Sequence, residues 1–380
     1  EYTEKPIGDI RLLWLKPVNR YLQLEEPAFQ VFKQLTEGLT EAQISRNLQD
    51  IYQLPGKEAQ HFVSEIVHNF QTLFQNYREP YNPRPTVDAT APVFTSHTEK
   101  CMGISGKTIF FCFGDKALEE YLFPLFTYLE IPSPDSPSPD LQLEFQRHQR
   151  KVYMRVNKGQ VYAWPFDQLH RLKGELFMQI LNVIHDKIEG EWMGVIHAAS
   201  ISSGQKAVMF PAQSGGGKST LASLLMASGC QVLSDDFSPV ALKNGQIHAF
   251  PGTISLKPGS IPLLSRYFPE LHKTRERKSP SKNQTVKYLK PQQPDYLSEK
   301  GFQLSAIVFV QYNSQKNCEL TRIPNLDALN DFLKESWIPD EARVAESFLE
   351  WFLGLPCYRL HYGDNEKAVR AILKLLEDVA

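Results

Sequence analysis

No stretch of this 380-residue chain is apolar for long enough to span a membrane; the strongest run, Ala306–Val310, is the size of one strand. A secretory signal is also missing, so neither a membrane nor an export route is expected. Cysteine is scarce. The five present (Cys101, Cys112, Cys230, Cys318, Cys357) are odd in number and far apart. Without a CxxC pair or a His-rich spacing they exclude a disulfide framework and offer no zinc or redox site, which fits a reducing cytoplasm. An excess of one charge is lacking too. Lys plus Arg number 41 against 43 Asp plus Glu, a net of −2 that gives no global reason to expect nucleic acid. What remains is ordinary globular material, 42% hydrophobic and 22% charged. Its length exceeds what one core usually serves, so two or three domains are expected.

Residues 1–80 read as a small α+β unit. Strand-like patches at Ile10–Leu15 and Tyr21–Leu24 precede three helical patterns. Pro27 can open the first helix, which buries Phe29, Val31, Phe32 and Leu35 and ends at Gly38. Thr40 and Gln43 form a capping box for the second, with Ile44, Leu48 and Ile51 on one face. The third, Lys57–Tyr77, carries a stripe of Phe62, Ile66, Phe70 and Phe74. Pro80, Pro83, Pro85 and Pro92 then mark a linker, placed at 81–95. A mixed α/β region follows over 96–190, with strands at Lys107–Phe113 and Gln160–Phe166 and helices at Leu118–Leu129 and Gln168–Ile188. Pro132–Pro139 is a low-complexity loop. From 191 to 380 the order is strand (Lys206–Phe210), glycine loop, helix (Lys218–Ala227), strand (Gln231–Leu233), the alternation of an α/β core with a central sheet. A hairpin is expected from Ser238–Leu242 and Ile247–Phe250 around Asn244-Gly245, then strands at Leu304–Gln311 and Tyr358–His361 and a closing helix at Glu366–Leu376.

The glycine loop carries the chemistry. Ala212-Gln-Ser-Gly-Gly-Gly-Lys-Ser219 fits GxxxxGK[ST] except for alanine at its first position, and it joins an apolar strand to an amphipathic helix as that motif demands. Gly215, Gly216 and Gly217 allow positive φ, so that successive N–H groups turn inward and form an anion nest at the helix's positive end. Gln213, Ser214, the three glycines, Lys218, Ser219 and Thr220 are thus the candidate nucleotide-binding residues. Lys218 is placed for the β/γ-phosphates and Ser219 for Mg²⁺.

Ser234-Asp-Asp-Phe237 follows the apolar end of the next strand. Two adjacent carboxylates repel; near Mg²⁺ one can serve the metal while the other takes an acceptor hydroxyl's proton. A solvated turn is the plainer alternative. His197 can hydrogen-bond a phosphate, orient an aspartate, or simply be structural. Basic residues gather at 273–290 (Lys273, Arg275, Arg277, Lys278, Lys282, Lys287, Lys290), either as a triphosphate clamp or as a solvated loop. Lys257 and Lys287 are the better candidates for nucleotide contact, being tethered to strand-like sequence.

His197, the loop 213–220 and Asp235-Asp236 together resemble HPr kinase/phosphorylase and its relatives, P-loop proteins similar in fold to phosphoenolpyruvate carboxykinase. The separation of His197 from Lys218 and the position of the Asp pair agree with that family. The wider likeness runs from about 100 to 380 and includes Pro251–Lys257, Thr285–Pro291 and Tyr358–Gly363. The resemblance implies an α/β fold with an HPr-kinase-like P-loop core and mixed central sheet. It implies Asp236 as general base, Lys218 as the phosphate contact, and Ser219 with Asp235 at the magnesium. The family's phosphorylase members carry a glutamate in a segment corresponding to Gly259–Leu264, which here has no acidic residue, so kinase chemistry is expected without that second activity. HPr kinases form rings, which leaves room for a homo-oligomer.

Residues 1–80 resemble the PqqD-like peptide-recognition fold, a small winged-helix-like unit that binds leader peptides of ribosomally made precursors, through Tyr21–Leu24, Ala28–Leu39 and Thr40–Tyr52. Joined, the halves imply a cytoplasmic, ATP- and Mg²⁺-dependent kinase acting on a serine hydroxyl of a leader-bound precursor peptide. Two alternatives stand beside it. One is a small-molecule or protein serine kinase with an accessory or dimerising front domain; the other is a non-catalytic ATP-gated binding protein.

Overall fold

The computed structural model describes residues 1–76, 91–132, 138–279, 284–291 and 301–378. Of the expected linker, residues 81–90 lie outside the described set, as do 133–137 of the Pro-rich loop and Lys282; residues 91–95 carry no helix or strand. The chain is a mixed α/β protein with several sheets, and it divides into two compact units. One is Glu1–Arg84 with Pro339–Glu350, the other Pro85–Ile338 with Trp351–Ala380. Among the described residues no helix is long and apolar enough to cross a membrane.

The first unit has a three-stranded antiparallel sheet in the order Tyr2–Ile7, Ile10–Leu15, Arg20–Glu25, followed by helices Glu26–Thr36, Glu41–Tyr52 and Gly56–Gln75. The first strand escaped sequence reading because its residues are only partly buried, which blurs the alternation. The helices start as their caps dictate. Pro27 sits in the first turn of the first, and Thr40 and Gln43 close a reciprocal capping box that satisfies two otherwise orphaned amides.

Two apolar stripes need correction. Ile51 is 59% exposed and does not share the buried face of Ile44 and Leu48. On the third helix Ala59, Val63, Val67 and Phe70 are buried and Phe62 and Ile66 pack, partly buried, against the same cores, while Phe74 is exposed, so the stripe fails at its last member.

The second unit is built on two six-stranded sheets. In one, the strands run Glu130–Ile131, Thr98–Ile104, Lys107–Phe113, Leu141–His148, Lys151–Val156, Val161–Pro165. Helix Leu169–Ile184 packs on it, and its buried face carries Phe111, Phe113 and Phe145. The expected helix Leu118–Leu129 is shorter, Lys116–Leu122, and gives way to 3-10 turns. Pro124 lacks the N–H that a further turn would use.

The other sheet is mixed and carries the glycine loop. Its order is Gln231–Ser234, Ala198–Ser203, Lys206–Pro211, Gln303–Tyr312, Cys357–Tyr362, Cys318–Ile323. The loop strand Lys206–Pro211 is antiparallel to Ala198–Ser203 and parallel to Gln303–Tyr312, which in turn is parallel to Cys357–Tyr362. Helices Lys218–Ala227 and Asn365–Asp378 cover a continuous core with Phe210, Leu221, Leu225, Val308, Leu360 and Ile372.

The expected hairpin around Asn244-Gly245 forms only in part: the chain turns back there, with Ala241 N donating to Gln246 O at 2.9 Å and His248 N to Pro239 O at 3.0 Å, but Ile247–Phe250 is not a regular strand. Ser238–Ala241 pairs with Trp192–Ile196, and Ile247 is left with isolated bridges to Val240 and Phe302. Trp351 Nε1 donates to the Gly245 carbonyl at 2.9 Å, and its ring stands where a side chain at Gly245 would begin.

Candidate functional site: the glycine loop and the charges around it

Strand Lys206–Pro211 is buried from Ala207 onward and delivers the chain into the loop at the sheet's edge. Gly215 has φ of +99° and Gly217 of +96°, a region side-chain-bearing residues avoid. At Gly217 a Cβ would also lie 2.5 Å from the Tyr362 hydroxyl. Ala212 is not among the positive-φ residues, which is why alanine serves where the motif has glycine.

The loop is braced from outside its curl. Gly216 N donates to Gln213 O at 2.9 Å, Tyr312 N to Gly216 O at 3.0 Å, and the Tyr362 hydroxyl to Gly217 O at 3.2 Å. Gly217 is the N-cap of helix Lys218–Ala227 and has no side chain to satisfy the first-turn amides, which leaves the positive helix end unquenched.

Three separate segments meet at this end. Lys218 is 7% exposed, and its ammonium lies 2.7 Å from Asp236 Oδ1 and 3.0 Å from His197 Nε2. His197 is held by its own amide, which donates to Glu335 O at 2.6 Å, and its Nδ1 lies 3.3 Å from the Asp236 carbonyl. Its two ring nitrogens thus face the Lys218 ammonium and the Asp236 carbonyl. A tight turn aims the two aspartates apart: Ser234 Oγ donates to Phe237 O at 2.8 Å and accepts from Phe237 N at 3.0 Å.

Asp235 is buried, takes the Ser255 amide on Oδ2 at 2.9 Å, and keeps Oδ1 buried with no hydrogen-bond partner. Burial, then the neighbouring Asp236, pushes its pKa up, and the Ser219 hydroxyl and the Ser255 amide oppose this. Asp236 has a half-exposed side chain. Its partial burial is outweighed by Lys218, His197 and Lys173, which hold its pKa down. Two adjacent carboxylates thus have different tasks open to them: one stays charged beside solvent, the other is an incompletely satisfied oxygen donor.

That orphaned oxygen is the test for a metal. Among the described residues no group of three or more His, Cys, Asp or Glu could hold an ion. A magnesium ion needs few protein ligands when phosphates supply the rest, and Asp235 Oδ1 with the Ser219 hydroxyl beside it fits that requirement.

Lys257 also reaches the loop: from the end of strand Ile254–Leu256 its ammonium donates to Ser214 Oγ at 2.9 Å. Lys287 does not point its ammonium there; it donates to the Leu271 carbonyl at 2.8 Å. Gln213 and Ser214 are exposed, while Ser219 and Thr220 are half-buried on the helix's first turn.

Three residues of this neighbourhood were missed by sequence reading. Tyr312 and Tyr362 brace the loop from strands about a hundred residues and more downstream. Lys173, on helix Leu169–Ile184, places its ammonium 5.2 Å from the Phe177 ring centre. Phe177 packs edge-on against Phe237, the neighbour of Asp236, at 5.3 Å. Burial lowers the Lys173 pKa, and Asp236 and Asp235 counteract it. A lysine four residues before Phe177, on the flank of an apolar helix, was the available signal.

Neither a protein-family model nor a curated protein matches the chain.

Proposed function

We propose that the chain is an ATP- and Mg²⁺-dependent phosphotransferase that moves the γ-phosphoryl group onto a serine hydroxyl of a ribosomally made precursor peptide. The reading takes the second unit as an HPr-kinase-like core and the first as a PqqD-like winged-helix unit. It is carried by one observation: a positive-φ glycine loop whose lysine lies 2.7 Å from a half-exposed aspartate on another strand end. Structural glycine turns have no use for a buried lysine that must be neutralised from a separate element, whereas phosphoryl transfer needs both groups at one point.

The loop amides and the helix end bind the polyphosphate, and Lys218 and Lys257 neutralise its oxygens. Asp235 and Ser219 would hold a magnesium ion, which when bound would supply charge neutralisation to the polyphosphate. Lys218 then faces phosphate and releases Asp236, whose carboxylate accepts the serine hydroxyl proton as the serine O–P bond forms and the β–γ bridging O–P bond breaks, with ADP leaving. His197, with a partner at each ring nitrogen, keeps Lys218 and Asp236 in register. The aromatic wall of Phe177, Phe237 and Phe250 lies next to Asp236 and excludes water on that side.

Leader capture is supported by the first unit's sheet. Strand Arg20–Glu25 pairs with Ile10–Leu15 on one side, and no described strand pairs with its other side. Such an edge can take an extended peptide by main-chain hydrogen bonds.

Candidate precursor peptides incubated with the protein and Mg-ATP should gain one or more phosphates by mass spectrometry, faster with the leader attached than without it. Absence of heat on titrating the folded protein with Mg-ATP would remove the basis of the proposal.

A further inference from the structure

Tyr312 is an exposed aromatic fixed at the rim of the glycine loop. The residue is 45% exposed, yet little of it is free to move. Its amide donates to Gly216 O at 3.0 Å, and its Cβ comes within 2.9 Å of where a Cβ on Gly217 would stand. The ring meets the fully buried Tyr362 edge to face, with centres 5.4 Å apart and planes at 69°. One side of the ring is therefore anchored while another faces solvent.

The turn beyond it is equally tied down. Asn313 N donates to Tyr362 O at 2.8 Å, Gly363 N to Asn317 O at 3.1 Å, and Lys367 Nζ to Asn317 Oδ1 at 2.9 Å. An exposed ring on such a rigid rim loses no conformational freedom when a flat ligand lies on it.

Sheet order gives the direction in which a ligand would extend. The aspartate pair follows the strand two places to one side of the loop strand, whereas Tyr312 ends the strand next to it on the other side. A polyphosphate lying in the loop with its terminal phosphate at Lys218 and Asp236 has its opposite end directed away from the acidic pair. That end passes over the C-terminal ends of the parallel strands Gln303–Tyr312 and Cys357–Tyr362, where ligands of open α/β sheets are held.

We infer that Tyr312 is the platform on which the base of the bound nucleotide stacks. The inference rests on the nucleotide-binding reading above and adds the subsite for the nucleoside. A ring platform contacts the π face of a base and not its edge, so it serves adenine and guanine alike.

Calorimetry on the intact protein tests it with Mg-ATP, Mg-GTP and Mg-tripolyphosphate, the last having phosphates and no base. Tyr312→Ala should weaken both nucleotides by roughly ten- to a hundredfold and leave tripolyphosphate affinity unchanged, and Tyr312→Phe should retain all three. Unchanged nucleotide affinity in Tyr312→Ala would overturn the platform while leaving nucleotide binding intact. An equal loss for tripolyphosphate would overturn it as well, reducing Tyr312 to a brace for the loop. A wild-type protein that binds none of the three would take down the nucleotide reading and this inference with it.

Discussion

Two clusters in the second unit contain histidine and differ in almost everything else. At the loop, His197 has a side chain 45% exposed and sits between the Lys218 ammonium and the Asp236 backbone. In the interior, His185 and His248 are 6% and 3% exposed, with ring centres 4.8 Å apart, both edge-on to Trp192. His185 Nε2 faces the Ala249 carbonyl at 2.8 Å, but Nδ1 of each ring is buried without a partner. Burial depresses both, His248 to about 3. The contrast shows that neighbouring charge and water decide what a histidine does. The loop cluster is assembled from charges that compensate one another and can be handed to a ligand, whereas the interior pair is kept neutral and can only lose by gaining a proton.

The comparison breaks most sharply at Lys218. Lys218→Ala should abolish detectable Mg-ATP binding and reduce phosphate transfer by about a thousandfold or more, measured by calorimetry and single-turnover assays. Retained transfer would mean that the charged cluster is no more functional than the interior one. Next in size, Asp236→Asn should lower transfer by about a hundred- to ten-thousandfold while nucleotide binding survives, as expected of a proton acceptor. A variant as active as wild type removes Asp236 from that role.

The interior pair is probed by pH. An unfolded histidine titrates near about 6.5, while the folded pair is depressed, so from about pH 6.5 downward the unfolded chain takes up protons that the folded chain refuses, and stability falls. For His248 the loss amounts to about 2 kcal/mol at pH 5 and should appear as a lowered unfolding midpoint between pH 7.5 and pH 5, with His185 acting in the same direction. His248→Phe should flatten that dependence, and an unaltered slope would show that the pair is not its source.

The smallest effect is expected at Lys173. Lys173→Met keeps the side-chain volume and removes a positive charge that favours the Asp236 carboxylate, so the acid limb of the pH–rate profile should move to higher pH with Mg-ATP affinity unchanged. A profile that does not move would separate Lys173 from the charged cluster.

Much of the loop was legible because its rules are local. Glycine at Gly215 and Gly217, an apolar strand before and a helix after follow from backbone sterics within about fifteen residues, and Lys206–Pro211 and Lys218–Ala227 stand where that pattern put them. Failures occurred where a distant partner overrode the local signal. Asn244-Gly245 turns the chain as expected, yet Ile247–Phe250 does not continue as a strand, and Ile247 bridges Phe302 as well as Val240. Lys287 reads as a phosphate ligand until its ammonium is found on Leu271. The stripe of the third helix holds through Phe62, Ile66 and Phe70 and fails at Phe74, which is exposed near the helix end.

By itself the sequence determined where a positive-φ glycine loop would lead into a helix, since φ preferences, a strand's apolar run and a helix start belong to consecutive residues. Tertiary structure alone decided which charges surround it. His197, Lys218, Asp236 and Lys173 come from segments separated by tens of residues, and no periodicity encodes their meeting. Their mutual compensation depends on distances of a few ångströms in a partly desolvated space, and only the packing of strands and helices sets such distances.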